Sequence, residues 1–135
     1  MSATATKLLT GLGLLLTLGC ADSIVREVDE TNNPAVTSTP ERFEFIATEM
    51  RNVSDKLVFV WPNPATKATV HHDSFLHHGY GVLVIQDAVG AVVDSTLLEW
   101  ELDTETKVGT PGDWTVTLTL ASARGRAEFS LIPIP

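Results

Sequence analysis

The chain holds a single cysteine, Cys20, among its 135 residues. It therefore has no internal disulfide framework and no cysteine-based zinc cluster. Positive charge is also scarce: nine Lys and Arg stand against 17 Asp and Glu, a formal net charge of −8. That balance argues against nucleic-acid binding, which works by neutralising phosphates. No apolar run approaches the ~20 residues that a membrane-spanning helix needs. The sequence lacks a G-x-S-x-G elbow, an H-E-x-x-H pair and a phosphate-cradling glycine loop, so the expectation is that it is not an enzyme. What is present is ordinary for a folded domain, with 44% hydrophobic and 19% charged residues.

The first residues read as an export signal. A short polar start with one charge at Lys7 leads into an uncharged run of eleven residues, Leu8 to Leu18, and then to Gly19-Cys20. A charged start, a 7–15-residue apolar middle and a small residue before the cut make a secretory signal peptide. Leu16-Thr17-Leu18-Gly19-Cys20 resembles the lipobox of bacterial lipoproteins. The resemblance implies cleavage between Gly19 and Cys20, and a diacylglyceryl group on the Cys20 thiol, commonly with further acylation such as palmitate on the new amine. Each buried CH₂ contributes roughly 0.8 kcal/mol, so two or three chains anchor firmly. Ala21 rather than an aspartate follows the cysteine, which in the same family implies transfer to the outer membrane. Loss of residues 1–19 leaves 8 basic and 17 acidic side chains, a net −9. Membrane attachment is then expected to depend on the lipid alone, because polybasic segments are what bind anionic headgroups by charge.

The organisation expected is a signal peptide at 1–19, the lipidated cysteine and a flexible linker at 20–40, and a domain at 41–135. The stretch from Ala21 to Pro40 has four acids, one base, two prolines and no sustained apolar period. A free chain of that length has a root-mean-square reach of roughly 25 Å. An alternative lets Ile24-Val25 and Val28 add an edge strand or a helical turn. Beyond Glu41 the pattern changes to short alternating runs. Phe43, Phe45 and Ala47 form one, and Leu57, Phe59 and Trp61 another; Ala68, Val70 and His72 form a third. Leu98, Trp100 and Leu102 alternate with Glu99, Glu101 and Asp103. Trp114, Val116, Leu118 and Leu120 alternate with threonines, and a turn at Arg124-Gly125 precedes Ala127, Phe129 and Leu131. Val82 to Ile85 is continuously apolar, as in a strand covered on both faces. Seven or eight short strands punctuated by Gly, Pro, Asn and Asp predict an all-β fold, an antiparallel β-sandwich of jelly-roll or immunoglobulin-like type. Trp61, Trp100 and Trp114 are expected in its core; a sugar-stacking platform is the alternative for one of them.

The stretch from Arg42 to Leu131 looks like a group of small uncharacterised bacterial lipoproteins. The residues concerned are Arg42-Phe43-Glu44-Phe45, Val58-Phe59-Val60-Trp61-Pro62-Asn63, Val82 to Ala88 with Gly90, and Gly112-Asp113-Trp114-Thr115-Val116 ending in Phe129. The closing half is also similar to bacterial pre-peptidase C-terminal domains. That likeness implies a non-catalytic β-sandwich.

Two side-chain groups stand out. All four histidines fall within eight residues, His71, His72, His77 and His78, with Asp73 among them. Imidazole suits Cu(II) and Zn(II), and one histidine of each pair joined by Asp73 would make a two-histidine, one-carboxylate site. A solvated polar loop is the alternative. Glu99, Glu101, Asp103 and Glu105 recur every second residue and are expected to line a strand edge, where charge deters sheet-to-sheet aggregation. A Ser74, His77, Asp73 trio is too close in sequence for a preorganised triad. The function expected is a membrane-anchored envelope lipoprotein with a binding or structural module, attached at the periplasmic face or the cell surface. An envelope protein is its possible partner. The alternative is a copper or zinc protein built on the histidine cluster.

Overall fold

A computed structural model describes residues 24–135. The expected signal peptide, its expected cleavage point and Cys20 lie outside the described residues. Seven antiparallel strands carry the fold: β1 (Ala35–Thr39), β2 (Arg42–Asn63), β3 (Lys67–His72), β4 (Phe75–Gln86), β5 (Val92–Leu97), β6 (Leu102–Glu105) and β7 (Gly112–Ile134). The all-β antiparallel expectation holds. Among the described residues there is no α-helix, and so no helix long and apolar enough to cross a membrane.

Two of the strands are far longer than the alternating runs suggested. β2 has 22 residues and β7 has 23, and they pair along their whole length, from Phe43 opposite Leu131 to Asn63 opposite Gly112. The other edge of β7 is taken by β3 opposite residues 129–134 and by β4 opposite residues 115–126. The three tracks bend together at mid-length. The register of β2 on β7 slips between Ala47 and Asp55, and that of β4 slips between Leu76 and Tyr80. Left-handed backbone marks the crease at Glu49, Asn52, Gly79, Ser122 and Gly125. Bulges of this kind bend a strand without ending its ladder. The expected turn at Arg124-Gly125 is therefore a kink inside one strand.

The result is a sheet doubled over into two legs, open on one side rather than closed into a barrel. Rings on one strand show it directly. Phe43 and Phe59 are sixteen residues apart on β2, which is ~53 Å along an extended strand. Their ring centroids are 5.4 Å apart. Phe45, 5.5 Å from Phe59, and Phe129, 5.9 Å from both Phe43 and Phe45, complete the cluster. Trp61 and Trp114, directly opposite in the β2–β7 ladder, meet edge to face at 6.0 Å and are fully buried. β1 extends the first leg beside β2, β6 extends it beside β3, and β5 extends the second leg beside β4.

Several expectations need correcting. Trp100 is not in the core; it is 59% exposed. Residues 98–101 form no strand, because Glu101 takes left-handed backbone (φ 51°) where the chain crosses from β5 to β6. The acidic row is broken for the same reason: Glu99 and Glu101 lie outside β6, and Glu105 is paired with Lys67 at 2.8 Å. Leu83 and Ile85 are buried, but Val82 and Val84 are only partly so, and β4 is fully covered on one face alone. Nor is 20–40 a free linker throughout. The Arg26 amide donates to the Asn52 carbonyl at 3.1 Å, and the Ser54 amide donates to the Arg26 carbonyl at 2.8 Å. Val28 donates to Asp55 Oδ2 at 3.0 Å. Buried Asn32 donates to the carbonyls of Thr48 and Glu49. Polar groups dock this stretch, which is why no apolar period announced it.

Candidate functional site at the folded end of the sheet

The crease gathers residues that are distant in sequence: the entering segment near Arg26, the bends of β2 and β7, the β3–β4 junction and the β5–β6 crossing. Gly125 makes this possible at one point. Its φ is +127°, and a Cβ there would lie 2.2 Å from the Phe75 carbonyl oxygen. Gly79 is held as tightly, with a Cβ position 2.2 Å from the Ser122 carbonyl. The lack of a side chain at these two positions lets β4 lie hard against the bend of β7.

Phe75 is half-exposed and packs edge to face against Trp100 at 5.7 Å. His77 lies beside it at 6.3 Å. Tyr80 and Leu97 are exposed nearby. Three shallow clefts follow one another along this end. One of about 300 Å³ is bounded by Phe75, Tyr80, Leu97, Glu99 and Trp100. The next, about 410 Å³, shares Phe75 and adds Glu49, Arg51, His77, Arg124 and Arg126. The third, about 470 Å³, shares Glu49 and Arg51 and reaches Arg26. Arg126 is oriented by Asp73, donating through Nη2 to its carbonyl oxygen at 2.9 Å, and lies 3.5 Å from Glu128 through Nε. Four of the eight basic side chains beyond residue 20 thus line two adjoining clefts whose one carboxylate is Glu49.

The histidines do not assemble. His71 faces outward from β3, with Nδ1 against Asp103 Oδ1. His72, its neighbour on a strand, faces the interior and is fully buried. Asp73 orients Arg126, and His77 and His78 are exposed on the far side of the β3–β4 junction. Among the described residues no three His, Cys, Asp or Glu side chains come together as a metal site. The expected two-histidine, one-carboxylate arrangement of His71 or His72, Asp73 and His77 or His78 is not formed, because His71 is turned to Asp103, His72 is buried in the interior, Asp73 is held by Arg126, and His77 and His78 stay exposed on β4. Ser74, from the imagined trio, is buried and spends its hydroxyl on the Glu128 backbone at 2.9 Å.

His72 instead belongs to a buried polar group between the legs. Its Nδ1 accepts from the Glu99 amide at 3.4 Å, which places the proton on Nε2. That atom, Asp94 Oδ2 and Thr104 Oγ1 are buried without a hydrogen-bond partner. Burial holds the His72 imidazole below its ordinary value of 6.5, against the opposing pull of Asp94 and Glu99. Burial likewise raises the Asp94 carboxyl above 3.8, against the pull of His72. The side chains at the crease that sequence reasoning missed are Arg26, Arg51, Phe75, Tyr80, Arg124 and Arg126. Their only sequence signal is the concentration of arginine at the bends, which has no meaning until the sheet folds.

No protein-family model matches this chain, and comparison with curated proteins finds no similar sequence.

Proposed function

We propose that this chain is an exported bacterial lipoprotein, anchored in the outer membrane by lipid on Cys20, whose β-sandwich is a non-catalytic binding or structural module. The lipobox-like run from Leu16 to Cys20 supports the anchor. The observation that carries the module is the exposure of Trp100 beside Phe75, Tyr80 and the arginine-lined clefts. Leaving such rings in water forgoes hydrophobic stabilisation of about 25 cal/mol per Å². Aromatic and arginine side chains are also the ones that dominate recognition surfaces. The copper or zinc alternative at His71, His72, Asp73, His77 and His78 draws no support from the placement of those side chains.

The anchor is tested by expressing the full chain in a bacterium fed an alkyne-bearing fatty acid. The wild-type protein is expected to carry the label and to sediment with outer membranes, and Cys20→Ser to lose both. Labelled, membrane-bound Cys20→Ser protein would overturn the assignment.

A further inference from the structure

We infer that the folded end of the sandwich rests against the phosphate-bearing headgroups of the membrane that carries the Cys20 anchor. This rests on the lipoprotein reading above and deepens it by naming what the exposed surface binds.

Chain length sets the geometry. Arg26 is hydrogen-bonded into the crease, and it stands only six positions after Cys20. Fully stretched, that segment spans ~20 Å, and four residues to Ile24 span ~14 Å. The end of the molecule at which the chain enters is thus held close to the bilayer surface. The same end carries the exposed side chains Ile24, Val25, Phe75, Tyr80, Leu97 and Trp100. Trp and Tyr are the rings that favour the headgroup region, with an apolar body and a polar tip.

Charge points the same way. The whole chain is acidic, yet Arg26, Arg51, Arg124 and Arg126 line the two clefts beside these rings, with Glu49 between them. Glu99 borders the aromatic cleft, and Asp73 and Glu128 share Arg126. Glu27, Asp29, Glu30 and Asp55 lie on or against the segment that carries Arg26, so the basic character is confined to the clefts themselves. Exposed charges more than ~8 Å away are largely screened at physiological salt, so the acids of the far end weigh little at the contact. A guanidinium presents a planar fork that matches phosphate oxygens. Attachment through the lipid alone, as net charge suggested, gives way to attachment with a preferred face.

The three tryptophans supply the probe, since Trp61 and Trp114 are fully buried and Trp100 is not. The acylated full mature protein would be reconstituted into phosphatidylethanolamine vesicles with or without phosphatidylglycerol, using ordinary or brominated lipid. Expected is quenching of Trp100 emission by brominated lipid in the anionic vesicles. Relative to wild type, that quenching should fall by about half or more in an Arg26→Glu/Arg51→Glu variant. A Trp100→Phe protein should not be quenched, and Val89→Trp in that background, at the opposite end, should stay unquenched. Equal quenching of tryptophan at 89 and at 100, or none at 100 in protein that carries the fatty-acid label, overturns the inference. A blue shift of Trp100 with protein concentration and no lipid would assign the face to a second copy, and also overturns it. Absence of the label would bring down the anchor reading itself, and this inference with it.

Discussion

The two ends of the sandwich handle the same problem in opposite ways. At the open end, where the legs come apart, the tryptophan and loop polar groups are tied off, with Asn63 Nδ2 the exception that stays buried without a partner. Trp61 Nε1 donates to the Thr39 carbonyl at 2.7 Å and Trp114 Nε1 to that of Thr110 at 2.8 Å. Asp87, nearly buried, accepts from the amides of Val89, Ala91 and Thr110, and the Thr110 amide foremost holds its carboxyl below the usual value. The loop before β7 is stitched to both legs, from Thr106 to Ala68 and from Lys107 to Val93. At the folded end the ladder continues through the crease, but aromatic rings and arginines stay at the surface beside left-handed non-glycine residues such as Glu49 and Asn52. One end closes the core. The other keeps groups that favour a partner.

Tryptophan replacements test that contrast most strongly. Trp61→Ala opens a cavity in the core and should cost about 3–5 kcal/mol, whereas Trp100→Ala should stay within about 0.5 kcal/mol. Urea unfolding of the two proteins reads the difference, and equal losses would break the comparison. Glycines come next. Gly125→Ala meets both the left-handed backbone and the Phe75 carbonyl and should cost about 2–5 kcal/mol. Gly90, in the open-end turn, also has positive φ but no atom within 4 Å of an added Cβ. Gly90→Ala should therefore cost only about 1–2 kcal/mol, and a larger loss than at Gly125 would show that the crease yields more easily than its contacts imply.

The smallest effect lies between the legs and depends on pH. His72 has a depressed pKa in the fold, so the unfolded chain takes up its proton first as pH falls below about 6.5. Its contribution to stability is present above that value and is lost on acidification. Asp94 has the opposite sign. Its raised pKa means that the native state keeps a proton longer, so its contribution is lost as pH rises from 3.8 through the folded value. Urea midpoints should drop between pH 7.5 and 5.5, and the drop should be shallower in His72→Leu. An unchanged slope would show that the buried imidazole does not titrate in this window.

Much of the fold is written in local pattern. The alternation of Trp114, Val116, Leu118 and Leu120 puts all four in the core, and Phe43, Phe45 and Ala47 follow the same rule. The rule fails at Trp100, where a run of the same period ends in a left-handed glutamate and crosses between legs. It fails too for the segment from Arg26 to Thr39, which is held mainly by amides, Asp55 and Asn32, with Val28 packed on the core but no apolar period to announce it. Of the histidines, period 2 correctly separates His71 from His72, but what leaves the metal arrangement unformed is tertiary: Asp103 takes His71, the interior takes His72, and Arg126 takes Asp73.

Period-2 patterning, turn residues and the scarcity of cysteine by themselves determined an all-β antiparallel domain with a tryptophan and phenylalanine core. Those signals reach across neighbouring residues, because side chains alternate along a strand whatever lies beyond it. Only the tertiary structure decided that β2 and β7 run unbroken through a shared bend. It alone set Arg26, Arg51, Phe75, Trp100 and Arg126 at one end, since that meeting depends on a crease in three strands at once. The direction of a doubled sheet is a property of long-range pairing, and no single segment carries it.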